Sequence, residues 1–342
     1  MPHPPAHPAR RKPARRGSLS EESPLLGGPL TSGAGAEEPR APRTSFDARY
    51  DELRLSLEEP AIPSQAPDPR QLRELIPAKE PGRELDDWGR SERIFDLMQP
   101  LLDFYYRYWF RVEAEGVENV PADGGALIVS NHSGALPPDA PMIMQAIRKD
   151  HSRPRPLYML GEHWFRGYPG IGLLTNKIGL VAAHPANARR LLADERRLVL
   201  VFPEGQKGSR KLYWQRYKLR RFGRGGFVRT AMRAGAPIVP IAVVGAEEAA
   251  PIFAHVPFLQ RMTGLIYFPI NHAFPHFGLA APLMYLPAKF KIRFLEPVDL
   301  SGYGAEDADD MTLVQTIAED VRARIQTELN RLVASRTSVW FG

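Results

Sequence analysis

The chain has 342 residues, a formal net charge of +6 and no cysteine. Without cysteine it cannot form disulfides, use a thiol nucleophile or build a cysteine metal site, and it suits a reducing compartment. The length favours one large domain with accessory segments. The basic start is not followed by an apolar core segment, so no secretory signal is expected.

Residues 1–80 are expected to form a disordered, proline-rich tail. They hold 14 of the 34 prolines, and they lack a sustained apolar period that could offset the entropy of ordering. Their 12 Arg and Lys residues balance their 12 Asp and Glu residues. The net charge of +6 therefore belongs to the rest of the chain.

The apolar pattern of residues 85–110 predicts an amphipathic helix. Leu97, Leu101, Tyr105 and Tyr108 belong to a set of apolar and aromatic residues at helical spacing, and Pro100 predicts a kink or a break. Aromatic rings close to basic residues fit the headgroup level of a bilayer, whereas an aromatic stripe also fits ordinary core packing. Both interpretations stay open.

Apolar runs of β type alternate with helical runs over residues 111–335. This alternation predicts an α/β fold with a mixed, largely parallel sheet of about seven strands flanked by helices. The candidate strands are residues 111–115, 126–130, 156–160, 179–182, 198–202, 238–244 and 291–295. The candidate helices are residues 140–149, 186–194, 225–233 and 309–334.

His132 follows the second apolar run in a loop rich in Gly and Pro. Loops at the carboxyl ends of strands are where open α/β sheets place their sites. An imidazole takes up a proton near neutral pH, and a carboxylate on its other ring nitrogen stabilises the imidazolium. Asp139 is the only acidic residue between Asp123 and Asp150. It is therefore either the partner of His132 or only the N-cap of the next helix.

A second loop ends the apolar run 198–202 and carries Glu204 between Pro203 and Gly205. If the two strands run parallel, Glu204 lies at the same edge of the sheet as His132. By itself, the sequence Phe-Pro-Glu-Gly is also compatible with a plain turn.

Ten Arg and Lys residues follow Glu204, and no acidic residue occurs before Glu247. Such a one-sided charge favours an anion: a phosphate-bearing substrate, coenzyme A, an acidic carrier protein, anionic lipid or nucleic acid. Nothing else in the chain resembles a nucleic-acid module, so no nucleic-acid partner is expected. The ten residues are Lys207, Arg210, Lys211, Arg216, Lys218, Arg220, Arg221, Arg224, Arg229 and Arg233.

Three ordered stretches together resemble the conserved blocks of the glycerolipid acyltransferase superfamily, which includes the lysophosphatidic acid acyltransferases. They are Asn131-His132 with the following Asp139, then Phe202-Pro203-Glu204-Gly205, then residues 236–241. The similarity covers about residues 90–300. It implies the glycerolipid acyltransferase fold, with residues 111–335 as the acyltransferase domain.

The resemblance implies transfer of an acyl group from a thioester, on coenzyme A or acyl carrier protein, to a lipid hydroxyl, with no metal and no cofactor. His132 looks like the general base and Asp139 like its orienting acid. The enzyme is expected to resemble a 1-acylglycerol-3-phosphate O-acyltransferase bound peripherally to the cytoplasmic face of an anionic membrane. The implied substrate-binding residues are Asn131, Phe202, Pro203, Glu204, Gly205, Lys207, Arg210 and Lys211.

Two departures from the family pattern leave the acceptor open. Six residues separate His132 from Asp139, where the commoner family spacing is four, and we interpret this as a longer loop. Residues 178–184 lack the Arg that usually binds the acceptor phosphate. Arg189, Arg190 or Lys207 could replace it, or the acceptor has no phosphate there. A neutral acceptor, such as mono- or diacylglycerol, and a catalytically silent membrane-binding protein remain alternatives.

Residues 262–288 contain no Asp, Glu, Lys or Arg and are rich in apolar side chains. The segment is long enough to span a membrane, but its prolines would leave backbone groups unsatisfied in hydrocarbon. We therefore predict an interfacial or sheet-covering segment instead of a transmembrane helix. His272 and His276 flank Pro275, which makes a metal site there unexpected.

Overall fold

The structure is a computed structural model that describes residues 85–134, 137–161, 171–258, 261 and 269–342. All of these residues belong to one compact unit, Pro77–Gly342. The predictions for residues 1–80, and for residues 262–268 of the apolar segment, lie outside the described residues.

The described strands are short, and most follow the apolar runs of the sequence to within one or two residues at each end. In chain order they are β1 (Glu113–Glu115), β2 (Ala126–Ser130), β3 (Leu157–Gly161), β4 (Leu180–Ala182), β5 (Leu198–Val201), β6 (Ile238–Val244), β7 (Ala254–His255), β8 (Pro269–Ile270) and β9 (Lys291–Phe294).

Seven of these strands form the main sheet, in the order β1-β9-β6-β2-β5-β3-β4, and β7 pairs with β8 separately. Neighbours in the main sheet run parallel, except that β6 and β9 pair antiparallel. The predicted mixed, largely parallel sheet of about seven strands is confirmed. Helices cover it, as an α/β fold requires.

The described α-helices are α1 (Glu92–Phe104), α2 (Asp139–Asp150), α3 (Ile171–Lys177), α4 (Pro185–Arg189), α5 (Gln206–Ser209), α6 (Gly226–Ala234), α7 (Ala246–Ala249) and α8 (Met311–Ser335). Two π-helical segments, Tyr105–Trp109 and Arg190–Asp194, extend α1 and α4. Within the described ranges, every helix is too short or too polar to cross a membrane.

The core has two layers, one on each face of the sheet. Every residue of β2 and β6 is buried. Ile128 belongs to the layer that contains Ile143 of α2, and Val129 belongs to the layer that contains Val321 of α8. A strand that is buried on both faces has a continuous apolar sequence, which is why these strands were evident from the sequence.

The helix at residues 92–109 is not broken at Pro100, which was one of the two predicted effects of this proline. The Ser91 hydroxyl accepts a hydrogen bond from the Ile94 amide at 3.2 Å and so caps the start of α1. The α-helix then continues through Pro100 and changes to π-helical winding only after Phe104. The sequence therefore located the helix, but Pro100 does not end it.

The apolar segment 262–288 contacts the folded core at its carboxyl end. The Leu286 amide donates to the Ala249 carbonyl at 2.9 Å, and Trp109 Nε1 donates to the Tyr285 carbonyl at 3.1 Å. Phe277 and Leu283 are exposed. The described part of the segment thus combines a packed end with exposed apolar side chains.

Candidate active site

The loops that follow β2 and β5 lie side by side. The two strands are adjacent and parallel, with Val129 opposite Val201. Their carboxyl ends therefore share one edge of the sheet, as the sequence predicted for His132 and Glu204. β6 lies on the other side of β2, and it is also parallel. The loops that follow β2, β5 and β6 therefore all lie at the same edge of the sheet. Residues 135 and 136 of the first loop lie outside the described residues.

His132 sits against an aromatic wall and a carboxylate. Its ring stacks on the Phe202 ring, with the centroids 4.3 Å apart and an interplanar angle of 15°. Its Nδ1 lies 3.5 Å from Asp139 Oδ2, and the side chain keeps 15% of its exposure. Nδ1 itself is buried and makes no hydrogen bond within the part of the chain that the structure describes. The ring is therefore oriented towards Asp139 and remains open to solvent at its rim.

Asp139 is fully buried, and its carboxylate is held from two sides. Oδ2 accepts hydrogen bonds from the Ser133 amide at 2.9 Å and the Ser133 hydroxyl at 3.0 Å. Oδ1 accepts from the Ala140 amide at 2.8 Å. Asp139 is also the first residue of α2, where the helix dipole stabilises a negative charge. The N-cap of α2 is Pro138 and Asp139 is the first helical residue, so the N-cap interpretation of Asp139 is wrong, and its carboxylate faces His132 instead.

Asn131 joins two strands instead of facing the edge of the site. Its Nδ2 donates to the Val243 carbonyl at 2.9 Å, and its Oδ1 accepts from the Val243 amide at 2.8 Å. The residue is buried. Its amide therefore extends the pairing of β2 with β6 by one step. The sequence predicted that Asn131 binds substrate, but both polar atoms of its side chain are hydrogen-bonded to Val243.

Glu204 supports the His132 loop from below. Its Oε1 accepts a hydrogen bond from the His132 amide at 3.1 Å and lies 3.3 Å from Lys211 Nζ. Its Oε2 accepts from the Arg220 amide at 2.8 Å. The side chains of Glu204 and Lys211 are 0% and 2% exposed. Both were predicted to contact substrate, but the structure places their charged groups underneath the loop, away from solvent.

The other residues of the Phe-Pro-Glu-Gly loop shape its turn. The Gly205 amide donates to the Phe202 carbonyl at 2.9 Å. Gly205 has φ +54° and ψ −147°, a region that only glycine adopts readily. Phe202 and Pro203 are half-buried. Phe202 contributes the face on which the His132 ring stacks.

Four of the ten cations have acidic partners in the part of the fold that the structure describes, although no acidic residue lies among them in the sequence. Lys211 lies 2.6 Å from Glu247, Arg216 lies 3.3 Å from Glu248, and Arg229 and Arg233 pair with Asp309. These counter-charges come from later parts of the chain, so the run itself could not reveal them. Besides Arg233, which pairs with Asp309, six cations keep exposed side chains, and we call these six the basic rim: Lys207, Arg210, Lys218, Arg220, Arg221 and Arg224.

Sequence reasoning missed three contributors to this edge. Ser133 holds the Asp139 carboxylate. A side chain at Gly208 would place its Cβ 2.5 Å from the Cβ of Glu204 and 3.2 Å from that of His132, so only glycine fits there. Glu247 reaches Lys211 from α7. A signal for Glu247 existed, because it follows the buried strand β6 as Glu204 follows β5.

The buried carboxylate and ammonium groups perturb each other. Burial raises the pKa of Glu247, and the neighbouring Glu204 adds to this effect, although Lys211 opposes it. For Lys211, burial disfavours the charge, but the Glu247 and Glu204 carboxylates outweigh that effect and raise its pKa. Lys211 therefore carries its proton at neutral pH. Among the described residues, no cluster of three or more His, Asp and Glu side chains is arranged to hold a metal ion.

Comparison with known proteins gives matches that include the residues of the candidate site. Residues 111–244 match the model of a protein family described as Acyltransferase, and this range includes β1 to β6 with His132, Asp139 and Glu204. An uncharacterized protein of Mycobacterium tuberculosis is 45% identical over 248 residues, which are 72% of this chain and 68% of the relative. One of Mycobacterium leprae is 43% identical over 246 residues, 72% of this chain and 66% of the relative.

Two further matches are more distant. A Gallus gallus protein described as a DGAT1/2-independent enzyme synthesizing storage lipids is 25% identical over 218 residues, 64% of this chain and 60% of that protein. The crystal structure of the 1-acyl-sn-glycerophosphate (LPA) acyltransferase PlsC from Thermotoga maritima matches with a TM-score of 0.46 and 19% identity, covering 72% of this chain and 83% of that chain.

The sheet edge with its imidazole and buried carboxylate is the candidate site of this α/β fold. The chain belongs to the family described as Acyltransferase.

Proposed function

We propose that the protein is an O-acyltransferase that moves a fatty acyl group from a thioester, on coenzyme A or acyl carrier protein, to a lipid hydroxyl. His132 is the general base, and Asp139 orients it. The observation that supports this proposal is the His132–Asp139 pair. Nδ1 of the partly exposed imidazole lies 3.5 Å from the fully buried carboxylate, beyond the carboxyl end of β2. Such a pair can take up a proton and stabilise the charge that results.

The reaction needs only one proton acceptor. Nδ1 of His132 faces Asp139, which leaves Nε2 to accept the proton of the attacking hydroxyl. The hydroxyl oxygen forms a bond to the thioester carbonyl carbon, and the carbon–sulfur bond breaks. The proton then passes to the leaving thiolate, so the products are an ester and a free thiol. The basic rim offers charges of the sign that coenzyme A phosphates or an acidic carrier protein would bind.

Two acceptor classes are supported by different observations. A lysophosphatidate-like acceptor fits the exposed cations Lys207 and Arg210, which lie close to Gly205 in the chain. A neutral acceptor, mono- or diacylglycerol, fits the absence of Arg from residues 178–184. It also fits the distant likeness to a protein described as synthesizing storage lipids. We propose the phosphorylated acceptor first and the neutral acceptor as the second candidate.

We further propose that the enzyme works as a peripheral protein on the cytoplasmic face of an anionic membrane. Leu97, Leu101, Phe104 and Tyr108 are 76%, 54%, 45% and 69% exposed. Their spacing of four, three and four residues places them on one side of the helix from α1 into its π-helical extension. We call these four residues the apolar stripe. Exposed apolar and aromatic side chains at such spacing suit the interfacial level of a bilayer.

An acceptor panel tests the proposed function. Labelled acyl-CoA and acyl carrier protein are offered with lysophosphatidate, monoacylglycerol and diacylglycerol in vesicles, and thiol release and lipid products are measured for the wild type and for His132→Ala. We expect transfer to one acceptor class and a loss of about a hundred- to ten-thousand-fold in His132→Ala.

Each contrary result removes a defined part of the proposal. Equal rates for both proteins would remove His132 from the mechanism. Vesicle binding without thiol release for any acceptor would instead support a catalytically silent membrane-binding protein. Circular dichroism of His132→Ala checks that the variant is folded.

A further inference from the structure

A buried ionic cluster lies beneath the candidate active site. Three carboxylates and three cations form it, and the cations come from two distant parts of the chain. Lys211 Nζ lies 3.3 Å from Glu204 and 2.6 Å from Glu247. Arg216 and Arg336 both pair with Glu248. Glu204, Lys211, Glu247, Glu248 and Arg336 all have side chains that are at most 7% exposed.

The cluster is electrically balanced, and one half of it contacts the catalytic loop. Arg216 and Arg336 serve Glu248, whereas Lys211 is the cation that contacts Glu204 and Glu247 among the described residues. A buried charge without a counter-charge is strongly unfavourable. Removing the ammonium group would therefore leave two carboxylates facing each other in a dry environment.

The contact with the loop passes through a single oxygen atom. Glu204 Oε1 lies 3.3 Å from Lys211 Nζ and accepts the His132 amide at 3.1 Å. The second oxygen of Glu204 accepts the Arg220 amide at 2.8 Å. Lys211 thus fixes the carboxylate that holds the backbone of His132. The ring of His132 is in turn confined by Phe202 and by Asp139.

We propose that Lys211 is a positioning residue for the general base: its buried ammonium group fixes Glu204 so that the His132 loop is held in its reactive place. This assignment rests on the proposed acyl transfer by His132. It differs from the substrate-binding role that the sequence predicted for Lys211, because a side chain that is 2% exposed and lies between two carboxylates has no free face for a phosphate. The raised pKa of Lys211 agrees with a permanent charge.

A merely structural role for Lys211 makes different predictions from a positioning role. If the ammonium group only balances charge, then removing one carboxylate together with it should restore both stability and activity. If it positions Glu204, the same double substitution should restore stability while turnover stays low. Lys211→Met with Glu247→Gln provides this test, because it removes one positive and one negative charge from the cluster.

The experiment compares four variants of the full chain with the wild type. They are Lys211→Met, Lys211→Arg, the double variant Lys211→Met/Glu247→Gln, and Lys149→Met as a matched control. Lys149 also pairs with a carboxylate, Asp103 at 2.7 Å, but it lies near the far end of α2. Thermal unfolding, kcat and KM are measured for each, with the acyl donor and acceptor found in the panel.

We expect a fall in kcat of about ten- to a hundredfold, with little change in KM, for Lys211→Met and for the double variant, since small displacements of a reacting group cost that much. Lys211→Arg should recover most of the turnover, the double variant should recover the stability, and Lys149→Met should keep the wild-type kcat. If the double variant regains wild-type kcat along with its stability, Lys211 is only a structural residue and the proposal is overturned.

A readout that needs no activity separates this proposal from the proposed function. The backbone amides of His132 and Arg220 both donate to Glu204, so their proton resonances report its position. We expect both resonances to move in the folded double variant and to stay unchanged in Lys149→Met. Unchanged resonances in the double variant would refute positioning, even if the wild type transfers acyl groups. If the resonances move in the double variant but the wild type transfers no acyl group, only the proposed function is refuted.

Discussion

At the residue scale, the site depends on backbone contacts that a sequence does not display. His132 and Glu204 were evident candidates because each follows a buried apolar run, where strands end and sites form, and Asp139 because it is the only acidic residue between Asp123 and Asp150. Ser133 and Gly208 were not, since a serine or glycine in a loop is ordinary. Ser133 matters because it donates a hydrogen bond to a buried carboxylate, and Gly208 because a Cβ there would lie only 2.5 Å from the Cβ of Glu204. Both appear only once the loops are folded against each other.

The predicted substrate-binding residues divide in the same way. Lys207 and Arg210 are exposed on the basic rim, so their predicted contact with substrate is compatible with the structure. Asn131, Glu204 and Lys211 are buried and already have polar partners. Residue type alone does not distinguish a polar group that binds a ligand from one that satisfies its neighbours, because both need the same chemistry.

Gly205→Ala is predicted to destabilise the loop even though there is space for the methyl group. A Cβ at this position meets no atom within 4 Å, but the φ of +54° and ψ of −147° are strained for alanine. We expect a loss of about 1–3 kcal/mol in the free energy of unfolding, measured in urea. Gly302→Ala, where a Cβ also meets nothing and no positive φ is required, is the control. Equal stability of the two variants would exclude backbone strain at Gly205.

At the scale of the element, the strands were easier to predict than the helices. Strands β2 and β6 match their predicted bounds, because burial on both faces makes their sequence apolar throughout. Residues 186–194 form α4 and then a π-helical segment instead of one regular helix. A π-helical segment of five residues is about one turn long and shows no period of its own, so the sequence pattern does not separate it from an α-helix.

The apolar stripe on α1 and its π-helical extension is predicted to govern membrane binding. Leu101→Glu combined with Phe104→Glu removes two apolar side chains and adds charge to the stripe. Since burying each such side chain contributes about 1.5–3 kcal/mol, we expect vesicle partitioning to fall by at least about tenfold. Sedimentation with vesicles containing anionic lipid measures it.

The matched control for this double variant is Tyr303→Glu, at an exposed aromatic residue outside the stripe. It should bind vesicles as the wild type does. If the stripe variant partitions as well as the control, α1 is not the membrane contact. The two interpretations of the predicted amphipathic helix, membrane contact or core packing, are thereby separated.

At the scale of the whole molecule, the fold class was predictable and the strand order was not. The alternation of apolar runs indicated an α/β sheet, but β1 lies beside β9, and β9 runs antiparallel to β6. These pairings join residues such as Glu113 and Lys291, and nothing local in the sequence records them. The same is true of the counter-charges that reach the basic run.

Buried tyrosines are predicted to limit the stability of the molecule at alkaline pH. Burial is the main cause that raises the pKa of four tyrosines above the ordinary value of 10.0, and bonded carboxylates add to it for three of them. In the folded state these groups keep their protons at a pH at which the unfolded chain has lost them. The four are Tyr106, Tyr158, Tyr217 and Tyr285.

The sign of the effect follows from this difference. The stabilisation is complete below pH 10 and is lost as the pH rises above 10, by about 1.4 kcal/mol per pH unit for each tyrosine. Urea midpoints measured across this range should fall, and tyrosinate absorbance should rise together with unfolding. Tyrosinate signals from all the tyrosines before any unfolding would contradict the burial of these four.

The pairing of Asn131 with Val243, 112 residues further along the chain, has a consequence for biosynthesis. A ribosome releases the amino-terminal part first, so β2 emerges while its neighbour β6 is still untranslated. During that interval β2 is an apolar strand whose backbone groups on the β6 side are unpaired, and such a strand can pair with a strand of another nascent chain. The enzyme acquires its chemistry only after more than a hundred further residues have been made, and until then it depends on protection from aggregation.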